Sequence, residues 1–139
     1  MPENTGCGAD EIVRAYRAVG IDLQELVYLD MVRNFGAYAR PKGRTQPDTS
    51  MDHRLVANLQ IFFKRHSVIL PSSCDSDDYA PGDIITCTLP DGSPHIAMVV
   101  PAPGSGQPWI LHNIGYGPRI EDRLFDFILT GHFRFHPRA

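Results

Sequence analysis

Residues 82–115 carry three successive strand signals, and a histidine stands at an end of two of them. Ile84, Ile85, Thr86 and Thr88 make the first run β-branched, which favours a pleated, half-buried backbone. Pro90-Asp91-Gly92-Ser93-Pro94 ends it, because Asp-Gly supplies the positive φ of a tight reversal. Ile96 to Val100 is a continuous apolar run, the pattern of a strand buried on both faces. A loop of Pro, Gly and Ser follows, then a third strand from Trp109 to Asn113. His95 opens the second strand and His112 closes the third. If these strands are antiparallel neighbours, the start of one lies beside the end of the other, and the two imidazoles meet at one rim of a sheet. Each histidine alone reads as a locally bonded side chain; the pair at matched ends reads as a candidate site.

The segments before this stretch have helical periodicity. Ile12, Val13, Tyr16 and Val19 recur at helical spacing from Asp10, with Gly20 as the stop. Asp22 caps a second helix whose stripe is Leu23, Leu26, Val27, Met31 and Phe35. Asp30 interrupts that stripe and is read as solvated, as are Arg14 and Arg17 on the first helix. Residues 36–51 lack periodicity and read as a long loop. Asp52 caps a third helix with Leu55, Leu59, Phe62 and Phe63 on one face and Arg54, Lys64 and Arg65 facing out. Residues 67–81 are read as loop, and 124–129 and 132–135 as two short strands around Thr130-Gly131. Helices first and an antiparallel sheet afterwards is an α+β arrangement. A length of 139 residues without internal repeats suits one domain, residues 1–139.

Composition narrows the function. A formal net charge of -3 argues against a general nucleic-acid binder. No apolar run is long enough to span a bilayer, and MPENTGCGADE has neither the basic nor the apolar region of a secretory signal. The chain is therefore read as cytoplasmic, exported by another route, or trimmed.

Three cysteines, Cys7, Cys74 and Cys87, cannot all pair internally. Cys74 and Cys87 flank the loop before the first core strand: either they bridge in an oxidising compartment, or Cys87 is a small buried residue and Cys74 is exposed. Cys7 lies at a helix start, where free N–H groups and the helix dipole favour a thiolate and can hold an oxyanion. With His95 as base and His112 orienting it, these residues have the composition of a nucleophilic triad. A metal site is the rival, but no Cys-x-x-Cys or His-x-x-x-His pair supplies ligand spacing, so no metal and no cofactor are assigned.

RAYRAVGIDLQELVYLDM, PDTSMDHRLVANLQIFFKRH, PGDIITCTL, HIAMVV, LHNIGYGP, EDRLF and TGHFRF, in order over nearly the whole chain, resemble the bacterial domain-of-unknown-function family numbered 1287. That family looks like a branch of the NlpC-type, papain-like cysteine peptidases, many of which cut peptidoglycan stem peptides. The resemblance implies a papain-like α+β fold, N-terminal helices packed on an antiparallel sheet, a helix-borne Cys, a His opening the second core strand and a polar residue on the next. His95 and His112 match the last two. In the family the helix is preceded by Gly-Val-Cys-Thr-Asp; counted back from Arg14, that pattern puts Cys at Gly8, with Cys7 one residue early. Three readings stay open: Cys7 acts after a one-residue shift of the helix start, the chain has been altered at the nucleophile, or it is a natural pseudoenzyme. One residue turns a helix by about 100°.

The resemblance implies a cysteine-dependent amidase or endopeptidase acting on peptidoglycan, or else a non-catalytic module binding peptidoglycan or a protein. Asp10, Asp52, His53, Arg54 and Asn113 are the substrate-groove candidates; an arginine there holds a stem-peptide carboxylate bidentately. The expected partners are the cell-wall peptide and an inhibitor or immunity protein. The expected location is periplasmic or secreted.

Overall fold

A computed structural model describes residues 8–34, 36, 38, 56–104, 106–114 and 117–135. Among the described residues, three α-helices, α1 (Gly8–Ala18), α2 (Leu23–Asn34) and α3 (Val56–His66), precede a six-stranded antiparallel sheet. The strands are β1 (Val68–Ile69), β2 (Ile84–Thr88), β3 (Pro94–Val100), β4 (Trp109–His112), β5 (Arg119–Glu121) and β6 (Ile128–Arg134), in spatial order β1-β6-β2-β3-β4-β5.

The helix ends follow local chemistry. Ile21 N–H donates to the Tyr16 carbonyl and Gly20 N–H to that of Arg17, while Gly20 adopts φ +87°. This paired closure needs a left-handed residue, and glycine takes that conformation without a Cβ penalty. The Asp22 carboxylate accepts from Glu25 N–H at 3.1 Å and so caps α2. The expected cap of α3, Asp52, lies outside the described residues.

Alternation along the strands divides the core into two layers. Ile84, Ile96 and Phe133 face the helices and pack with Ile12, Tyr16, Val27, Leu59 and Phe63. Ile85, Ala97, Val99 and Ile110 face the other way and are covered by Tyr79 and Leu124. The apolar run of β3 thus serves both faces, which explains why its sequence does not alternate.

Four expectations change. Residues 68–69 and 119–121 form edge strands, too short to show a period. The two short strands expected near the C-terminus are one strand, β6. Its pairing with β2 slips between Thr86 and Cys87: Thr86 lies opposite Gly131 and Cys87 opposite Leu129, leaving Thr130 as the extra residue of a bulge. Gly131 is there for close approach, since a Cβ would meet Thr86 Oγ1 at 2.6 Å and the Phe133 ring at 2.8 Å. Gly131→Ala is therefore expected to cost about 1–3 kcal/mol, the range for overpacking a core, read as a lower midpoint in thermal or urea unfolding. An unchanged midpoint would mean that the bulge opens freely.

Asp30 is the third correction. It is 8 % exposed and accepts from Arg65 Nε at 2.8 Å, from His66 Nε2 at 2.9 Å and from the Tyr38 hydroxyl. Burial alone would raise its carboxyl, but these hydrogen bonds outweigh it and hold it at about 2. Positions 23, 27, 30 and 34 lie on one helical stripe, so Asp30 faces α3, and Arg65 turns inward to meet it rather than facing out. The fourth is Arg14, whose guanidinium pairs with Glu11 instead of being solvated. No helix among the described residues is long and apolar enough to cross a membrane.

Candidate active site

β3 pairs antiparallel with β4, with Met98 opposite Leu111 and Val100 opposite Trp109. The start of β3 therefore lies beside the end of β4, and His95 and His112 fall on the same face, the one turned away from the helices. Their rings meet directly: His95 Nε2 lies 2.9 Å from His112 Nδ1. Both are buried, at 4 % and 1 % exposure. His112 Nε2 lies 2.7 Å from Glu121 Oε1 on the neighbouring β5, giving a line of three side chains across three strands.

Phe127 packs edge-on against His95, with ring centroids 6.0 Å apart, and lies 6.3 Å from the centroid of His112. The Arg123 guanidinium sits 4.6 Å above the Phe127 ring, paired with Asp126 at 3.0 Å and 3.9 Å from Glu121. Burial first, then the adjacent His112 and the Arg123 charge, push the His95 imidazole down to about 4. His95 is thus a neutral proton acceptor through the physiological range.

The helical layer reaches the same rim through α1. Asn113, directly after β4 and 2 % exposed, donates from Nδ2 to Glu11 Oε1 at 3.4 Å. Glu11 stands in the first turn of α1, so the start of that helix is moored next to His112. Asp10 precedes it in the same turn. Cys7 lies outside the described residues, as do Asp52, His53 and Arg54.

Cys87 is directly opposite His95 in the ladder between β2 and β3, on the same face. It is 1 % exposed, and burial pushes its thiol up to about 11. A thiol so disposed is inert packing rather than an activated nucleophile. Cys74 is exposed, and both are free thiols, so the alternative of a bridge between them falls away. Among the described residues, no group of three or more His, Cys, Asp or Glu side chains is arranged to hold a metal ion.

Glu121, Phe127, Arg123 and Glu11 were not visible as site residues in the sequence. β5 is three residues long, and a charged residue at each end of so short a strand carries no readable alternation. Glu11 was hidden in the polar first turn of a helix. The available clue was its position one residue before Ile12, on the side of α1 that packs against the sheet.

Comparison with known proteins adds the family. A family model described as a domain of unknown function, DUF1287, matches residues 1–135. The chain is 39 % identical over 136 residues to the uncharacterized protein YijF of Escherichia coli (strain K12), covering 97 % of this chain and 66 % of that relative. It thus spans about two thirds of the relative's length. No solved structure matches it.

Proposed function

The chain belongs to the DUF1287 family, and we propose that it is a papain-like, NlpC-type cysteine amidase or endopeptidase cutting peptide bonds of bacterial peptidoglycan. The observation that carries this reading is the buried contact of 2.9 Å between His95 and His112 at the rim where α1 begins. Cys7 attacks the scissile carbonyl, His95 takes the thiol proton and delivers it to the leaving amine, and His112 holds His95. The substrate locates the activity in the periplasm or outside the cell.

The energetics set a condition. Transfer of a proton from a thiol at its free value of about 8.5 to an imidazole at about 4 is uphill by roughly 6 kcal/mol. Two effects offset this in the proposed site. The helix N-terminus stabilises the thiolate, and the thiolate in turn favours a charged His95.

A second reading is a module that binds peptidoglycan or a protein without cutting. It is favoured by Gly8, which begins α1 where the family pattern has cysteine, and by the low basicity of His95. Alkylation with iodoacetamide separates the two. The peptidase reading expects Cys7 to react faster than Cys74 at pH 7, with an apparent pKa below about 8.5. Cys7 reacting as an ordinary thiol removes it as the nucleophile. A fast-reacting Gly8→Cys thiol would then mark the ancestral position, and a slow one would leave the binding module.

A further inference from the structure

The geometry points to Glu121 as a positioning residue that sets the tautomers of both histidines and thereby makes Nδ1 of His95 the nitrogen that accepts a proton. Only its catalytic consequence rests on the peptidase reading; the tautomers are a property of the folded chain.

A carboxylate only accepts hydrogen bonds, so the proton of the 2.7 Å contact with Glu121 sits on His112 Nε2. A neutral His112 then has its lone pair on Nδ1. That atom lies 2.9 Å from His95 Nε2, which must therefore be the donor. The proton of neutral His95 is thereby committed to Nε2, and Nδ1 is left with the lone pair. A nucleophile served by this dyad must approach that atom.

The surroundings hold the line in place. Phe127 packs against both rings and restricts their rotation. The Arg123 guanidinium lies 3.9 Å from the Glu121 carboxylate and places an opposite charge beside it. Glu121 is itself 30 % exposed on an edge strand, so its replacement leaves the core untouched.

The test is nitrogen NMR of the histidine side chains in the full chain at pH 7. The expected spectrum has both His95 and His112 neutral and protonated on Nε2. A spectrum with His95 protonated on Nδ1, or with His112 as imidazolium, overturns the proposal without any variant being made. In Glu121→Gln the amide N–H can face His112 Nε2, which moves the His112 proton to Nδ1, forces His95 Nε2 to accept and places the His95 proton on Nδ1. Gain of the Nδ1–H form of His95 in this variant supports the assignment, and unchanged tautomers in both Glu121→Gln and Glu121→Ala contradict it. On the peptidase reading, Glu121→Gln also lowers kcat by about 10²–10⁴-fold with KM unchanged, the range for losing a correctly protonated base. The expected tautomers in a protein with no turnover would remove the peptidase reading and leave the positioning role standing.

Discussion

On the proposed peptidase function, His95→Ala is expected to reduce peptidoglycan hydrolysis by about 10⁴-fold or more, as much as Cys7→Ala, because nucleophile and base act as a unit. The loss should be in kcat, since His95 is 4 % exposed and offers substrate little surface. Folding supplies a second readout. His95 is held at about 4 in the folded chain against about 6.5 when unfolded, so between these values the unfolded chain binds more protons. This part of the stability is present above about pH 6.5 and is lost as pH falls towards 4. His95→Ala removes that slope. A variant that keeps turnover would show that another group takes the proton, and one that keeps the full acid slope would assign it to other residues.

Asp83→Asn is expected to destabilise the fold by about 3–5 kcal/mol, the range for breaking a buried ion pair from one side. Asp83 is 1 % exposed and accepts from Arg134 Nε and Nη2 at 2.8 Å each, from His132 Nε2 at 2.6 Å and from Ala80 N–H at 3.0 Å. His132 is fully buried, donates from Nδ1 to the Pro71 carbonyl at 3.1 Å and stacks on Tyr79 with centroids 4.1 Å apart. Both ring nitrogens thus face oxygen atoms, the Pro71 carbonyl on one side and the Asp83 carboxylate on the other. Removing the carboxylate leaves Arg134 without its counter-charge and His132 Nε2 without its carboxylate partner. Burial alone would raise Asp83, but the bonds from Arg134, Ala80 and His132 outweigh it and keep it below the usual carboxylate range. Its contribution is therefore complete above about pH 4 and is lost as pH falls further, so Asp83→Asn should flatten the acid limb of the unfolding profile. Urea unfolding at pH 7 measures the main effect; a loss under about 1 kcal/mol would mean that the network is no more than a surface pair.

The parts of this fold that the sequence disclosed are those with a period. α1, α2 and α3 show apolar residues every three to four positions, and β2 to β4 carry β-branched runs bounded by turn residues. The meeting of His95 and His112 was legible because antiparallel pairing follows from a short hairpin and a short loop. What stayed hidden depends on contacts distant in sequence. Thr130-Gly131 looks like a turn; only Thr86 on β2 shows why a glycine belongs inside a strand there. Asp30 looks solvated until Arg65 and Tyr38 are brought to it. Asp83 and His132 lie 49 positions apart, and nothing local to either announces the pair. Glu121 lacks a local signal for the same reason: its role is set by His112 on the next strand.

On the proposed function, Cys7 and His95 together cut peptide bonds of the cell wall. Mass spectrometry of soluble fragments released from purified peptidoglycan tests it most directly, comparing the native chain with Cys7→Ala and His95→Ala. New peptide termini are expected with the native chain and none with either variant. Fragments released equally by Cys7→Ala, or no fragments from the native chain, would contradict it.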